Sequence, residues 1–183
     1  MFLEKLLEFP KKKILIVIII IAFATWILLQ LVGMGPIELP LRATTGYGVL
    51  EFEFAWTPEG INTIFAAWGV DGKAKEAFVT YLDFPYLVCY AIFISGLIIL
   101  VTRSLEGKVQ TIGLCMALTP IIAAIFDVVE NINLLLMLSD ESYINMGSPL
   151  MASLFATIKF AFLYVGIIFF FVALVLFLIK RRK

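Results

Sequence analysis

The chain has 183 residues, of which 62% are hydrophobic and 15% charged, and its mean hydropathy is +1.05. A soluble domain of that length has no interior large enough for so many apolar side chains, so the sequence reads as an integral membrane protein. Fourteen basic residues balance fourteen acidic ones, which gives no general attraction to nucleic acid, and the absence of histidine removes the commonest metal ligand and acid–base group.

Crossing a hydrocarbon core takes about 20 apolar residues. Four stretches qualify: residues 14–32, 81–102, 109–138 and 152–179. They predict an all-α membrane protein, a four-transmembrane-helix bundle forming a single membrane domain over residues 1–183. Lys11, Lys12 and Lys13 ahead of an apolar run also suit a secretory signal, but the run continues through Trp26 to Val32, so it reads as an uncleaved anchor. Ten of the fourteen Lys and Arg residues lie in the N-terminal tail, at Arg103 and Lys108, and at the C-terminus. That bias predicts a multi-pass cell-membrane protein with both termini cytoplasmic and residues 34–80 extracytoplasmic.

The outer segment, residues 34–80, has patterning of its own. Residues 49–56 alternate, with Phe52, Phe54 and Trp56 on one side and Glu51 and Glu53 on the other, which is strand period. Gly46-Tyr47-Gly48 can turn this strand back on residues 37–42, so a small β-hairpin is expected. Thr57-Pro58-Glu59 then reads as an N-cap, a first-turn proline and an early acid, opening a helix that Gly69 closes. A second helix, from Asp71, would run through Lys75 and Tyr81 into the next span. The segment is therefore expected to be a cap of hairpin plus helix.

Within the spans the informative residues are the ionisable ones: Asp83, Asp127, Glu130 and Lys159. Such groups are costly in lipid and usually face a protein interior. At 1.5 Å of rise per residue, Arg103 to Asp83 is about 30 Å, Lys108 to Asp127 and Glu130 about 28 and 33 Å, and Lys180 to Lys159 about 32 Å, against a core about 30 Å thick. All four are expected near the outer rim of the bilayer.

Helical residues three and four apart share a face. Asp127, Glu130 and Asn131 fall together, with Pro120 two turns below. Asp83, Tyr86 and Tyr90 line one face of the second span, and Phe155, Lys159, Phe162 and Gly166 one face of the fourth. If all three acids are ionised, three negative charges meet one positive, and unit charges 4 Å apart interact by about 4 kcal/mol at an intermediate dielectric. The deficit calls for protonated carboxylates, a cation held by the acids and Asn131, a cationic ligand head, or Arg42, Lys73 or Lys75 reaching down from the cap. The sequence assigns no cofactor and leaves a metal open. The plainer readings are that Asp83 merely ends a helix at the interface and that Lys159 snorkels outward alone. Cys89 and Cys115 read as small buried apolar residues within spans rather than a disulfide.

The order Trp68-Gly69, Gly72, Asp83-Phe84, Tyr90, then Asp127-x-x-Glu130-Asn131 and Lys159-Phe160 resembles a family of small prokaryotic four-helix membrane proteins of unknown function. The likeness covers roughly residues 55–170. It implies a shared architecture and points to Asp83, Asp127, Glu130, Asn131 and Lys159, with no activity to transfer. A looser likeness, of architecture without a matched motif, is to the sterol isomerase and sigma-2 receptor group.

The function expected from these residues is binding or chemical modification of an amphiphilic small molecule, of the lipid or isoprenoid class. Asp83, Tyr86, Tyr90, Asn131, Phe155 and Phe162 would hold the ligand, and in an enzyme Asp127, Glu130 and Lys159 would be the catalytic groups, the acids exchanging protons. The alternative is a structural or assembly subunit whose acids pair with a membrane protein partner. Ion or proton transport is the third reading, weakened by the few polar residues in the inner halves of the spans.

Overall fold

The computed structural model describes residues 2–182. Its regular elements are all helical: α1 (Phe2–Lys5), α2 (Lys12–Leu28), a π-helical turn (Leu29–Met34), α3 (Gly35–Thr45), α4 (Val49–Glu53), α5 (Pro58–Thr102), α6 (Gly107–Met116), α7 (Thr119–Ser139), a 3-10 turn (Glu141–Met146) and α8 (Ser148–Arg182). Four helical stretches are long and apolar enough to cross a membrane, Lys12–Thr45, Pro58–Thr102, Gly107–Ser139 and Ser148–Arg181. They contain the four predicted spans. The shortest has 33 residues, well beyond the roughly 20 that a hydrocarbon core requires, so each has turns to spare outside it. Exposed Ile20, Leu31, Val32, Ile125, Ile168 and Phe171 give these stretches the apolar surface that lipid demands.

The expected β-hairpin is not formed, and the described residues contain no strand. Residues 35–45 continue the first stretch as α3, which Gly46 ends in the left-handed conformation (φ 81°), its N–H donating to the Arg42 carbonyl. The apparent strand over residues 49–56 is instead the short helix α4 followed by a turn. Two side chains make this helix: Glu38 accepts the Val49 N–H at 2.5 Å and Glu51 accepts the Gly48 N–H at 2.8 Å, satisfying donors at its start. The alternation misleads because adjacent residues Phe52 and Glu53 both point inward, while Leu50 and Phe54 are exposed.

The helix reading further on holds. The Thr57 hydroxyl accepts the Gly60 N–H at 3.1 Å, capping α5, and Pro58 occupies its first position. Gly69 breaks the helix at φ 59° and ψ −165°, a conformation open to glycine, after which it resumes through Tyr81 to Thr102.

The chain divides into two compact units. The first comprises Met1–Thr25, Val88–Ala124 and Phe160–Lys183. Helices approach closely there at glycines: a Cβ at Gly96 would collide with Ile19, and one at Gly166 with the Thr119 hydroxyl. Arg103 donates to the carbonyls of Leu6 and Pro10, tying the N-terminal turn to the α5–α6 link. The third stretch is interrupted between Met116 and Thr119, so Pro120 lies in the first turn of α7, where its missing N–H costs no helical bond. Cys115 is exposed and Cys89 half-buried, rather than both buried as expected, and both are free thiols.

The second unit comprises Trp26–Leu87 and Ile125–Lys159. Its core packs Leu41, Phe52, Ile61, Phe65, Trp68, Leu134 and Met137. Phe52 lies with its ring centroid 5.6 Å from that of Phe65 and 5.2 Å from that of Trp68, and the Trp68 indole N–H donates to the Tyr47 carbonyl at 2.9 Å. This packing fixes α4, and with it the side chain next to Phe52.

Candidate functional site

The ionisable residues of the second unit converge on Lys159. Its ammonium lies 2.8 Å from Glu130 Oε2, 3.0 Å from Asp127 Oδ1 and 3.1 Å from Glu53 Oε1, and all four side chains are buried. An ammonium carries three N–H donors. Three carboxylates therefore already surround the one cation of the cluster. Lys159 does not snorkel outward; it faces the acids of α7, Asp127 and Glu130, which the one-turn spacing brings onto its side.

Glu53 is the participant that sequence reasoning missed. The alternation over residues 49–56 sets it on the side opposite Phe52, whereas α4 turns it inward beside Phe52. Its position is fixed by Ser153 of α8, whose hydroxyl donates to the Glu53 carbonyl at 2.7 Å and accepts the Trp56 N–H at 3.0 Å. Trp56 adopts φ 58°, which turns the chain back after α4. Burial pushes the Glu53 carboxyl above its ordinary value of 4.5, and the neighbouring Lys159 charge only partly opposes this.

Asp83 stands one step away from Lys159. It accepts a hydrogen bond from Asn131 Nδ2 at 2.7 Å and is half-buried, so it is tied to α7 rather than ending a helix alone in the interface. Above it on α5, Thr80 and Glu76 continue the same face at spacings of three and four residues, and both are buried. The Glu76 carboxyl lies within hydrogen-bonding reach of Glu38, and its strongest electrostatic neighbours are the acids Glu38, Glu53 and Asp83. Glu76 and Glu38 were also missed. The Glu76-x-x-x-Thr80-x-x-Asp83 stripe was the available signal.

No other base of the unit relieves this concentration of acid. The unit contains four Lys and Arg residues, Arg42, Lys73, Lys75 and Lys159. Arg42 pairs with Glu51, Lys73 with Glu141 and Lys75 with Asp71, each at 2.6 Å and towards partly or largely exposed acids. The cap cations that the sequence offered as compensation are therefore engaged elsewhere. Among the described residues, Glu53 Oε2, Glu38 Oε2, Glu130 Oε1 and both carboxylate oxygens of Glu76 are buried without a hydrogen-bond donor. Such acceptors are costly to bury, so the arrangement is suited to receive protons or a cationic or hydrogen-bond-donating group.

The remaining expected ligand residues divide between the units. Tyr86 lies in the second unit with its ring 5.7 Å from that of Trp26, and Phe155 stacks on Phe126 at 5.8 Å. Tyr90 and Phe162 belong to the first unit. Among the described residues, no group of three or more His, Cys, Asp or Glu side chains is arranged to hold a metal ion. Compared with protein-family models, with curated proteins and with solved structures, the chain matches none.

Proposed function

We propose that this membrane protein binds an amphiphilic small molecule of the lipid or isoprenoid class in its second unit, the polar head meeting the acid cluster around Lys159. One observation carries the reading: the unit buries more carboxylate acceptors than its own donors satisfy, and its single buried cation already serves three of them. A ligand bearing N–H or O–H donors, or positive charge, would complete that set. Tyr86, Phe126 and Phe155 supply aromatic surface for an apolar body. The chemistry such a set offers is proton transfer, with Asp127 or Glu130 as the exchanging group and Lys159 holding the developing negative charge.

The basic-residue bias supports an outer position for residues 34–80, from which the head group would enter. Mass spectrometry of gently purified protein, with and without Glu130→Gln, tests the reading. The expected result is a defined lipid-like mass on the wild type that the variant loses. A stoichiometric protein partner in its place, or the same lipid on both, would overturn it.

A further inference from the structure

Glu38 of α3 stands between two other elements. Its Oε1 accepts the Val49 N–H at 2.5 Å, which anchors the start of α4, and Gly48 permits that approach, since a Cβ there would collide with the same oxygen. On the other side its carboxyl lies within hydrogen-bonding reach of Glu76 on α5. Glu38 Oε2 is buried and receives no donor among the described residues; Glu76 is 0% exposed, and neither of its oxygens receives one.

Two carboxyl groups this close repel each other if both are ionised, whereas a single proton between them turns the contact into a hydrogen bond. The surroundings supply no other remedy. The ionisable groups that bear most strongly on Glu76 are acids: Glu38 from α3, Glu53 from α4 and Asp83 on its own helix. Arg42, one turn on from Glu38, pairs with Glu51, while Lys73 and Lys75 pair with Glu141 and Asp71. Lys159 of α8 is held by Glu53, Asp127 and Glu130. The Thr80 hydroxyl donates to the Glu76 backbone carbonyl, not to its carboxyl.

We propose that Glu38 and Glu76 share one proton, and that this carboxyl pair is a pH-operated clasp holding α4, and through it Glu53, in the acid cluster around Lys159. The connection is short. Glu76 holds the Glu38 side chain, Glu38 holds the Val49 N–H, and Val49 and Glu53 are the two ends of α4. With the proton in place the pair carries one negative charge and Glu38 stays where it caps α4. As pH rises the proton leaves to water on the side of Glu38, which is half-buried; the pair then carries two negative charges, and Glu38 moves away from Glu76. A helix of five residues does not persist by itself in water. Without Glu38, α4 keeps only the Glu51 contact to Gly48 and the packing of Phe52, so it loosens and Glu53 leaves Lys159. The clasp does not rest on the preceding reading, because it needs no ligand.

Hydrogen exchange read by mass spectrometry tests the proposal, on the full chain in nanodiscs and with rates corrected for the intrinsic pH dependence of amide exchange. In the wild type, protection of residues 49–54 should fall at least tenfold between about pH 6, where ordinary carboxylates are ionised, and about pH 9. Protection of residues 61–68 of α5 should change less than twofold. Glu76→Gln and Glu38→Gln each replace the shared proton with a permanent amide donor, so in either variant α4 protection should stay within twofold over the same range. Glu53→Gln leaves the clasp intact and should keep the wild-type fall. Infrared spectroscopy counts the proton: at about pH 6 the protonated-carboxyl C=O band should lose one carboxyl in either Glu38→Gln or Glu76→Gln, and no more in the double variant. Protection of wild-type α4 that ignores pH, a fall that survives both clasp variants, or one abolished by Glu53→Gln would overturn the proposal. So would a double variant that loses twice the band of either single one.

Discussion

The Ser153 hydroxyl donates to the Glu53 carbonyl at 2.7 Å, while six residues along the same helix Lys159 holds the Glu53 carboxylate at 3.1 Å. Backbone and side chain of one residue are thus fixed by a single helix. Ser153→Ala removes that bond and also leaves the Trp56 N–H without its acceptor. A loss of about 1–2 kcal/mol is expected, from one lost buried hydrogen bond and one partly buried donor left unpaired. Denaturant unfolding in micelles measures it, and an unchanged midpoint would show that Glu53 is held by packing alone.

Lys159→Met exposes the imbalance around the cluster. Removing one partner of a buried ionic group typically costs about 3–5 kcal/mol, because the charge left behind has no compensation. The variant should unfold correspondingly earlier, and lowering the pH should recover part of the loss by protonating the stranded acids. A variant as stable as the wild type at neutral pH would mean that the acids are already neutral without the lysine.

Glu53→Gln should change how stability depends on pH. Burial raises the Glu53 pKa above 4.5 in the folded chain, so the folded state holds its proton more tightly than the unfolded state does. The contribution of that proton is fully present below pH 4.5 and is lost as pH rises through the raised value. Over that window the wild type should lose stability relative to the Gln variant, which has nothing to titrate at this position. Parallel stability curves for the two proteins would contradict the assignment.

Gly166→Leu probes the first unit. A Cβ at that position would already meet the Thr119 hydroxyl at 2.5 Å and Pro120 Cγ at 3.4 Å. A larger side chain should destabilise by about 1–3 kcal/mol through overpacking, lowering the thermal midpoint without a comparable effect on ligand binding in the second unit.

The parts of the structure legible in sequence are those in which one local rule dominates. Asp127, Glu130 and Lys159 stand out because charge within an apolar helix has few explanations, and the one-turn spacing of the two acids sets their common face. Thr57-Pro58 and Gly69 mark the start and break of α5 through capping and backbone freedom alone. Glu53 was not legible in that way. Five residues do not establish a helical period, and α4 exists because Glu38, eleven residues earlier, caps it and because Phe52 is drawn between Phe65 and Trp68. Glu38 and Glu76 were obscured for a different reason: in an amphipathic segment outside the expected spans an acid is ordinary, and only the approach of α3 to α5 makes these two unusual.

The cluster has a consequence for biosynthesis. Its acids come from α4 and α7, whereas the one base that answers them belongs to α8, which is synthesised after both. Until that helix joins them, Glu53, Asp127 and Glu130 lack the ammonium they share in the folded chain, so the cluster is completed only when Lys159 arrives.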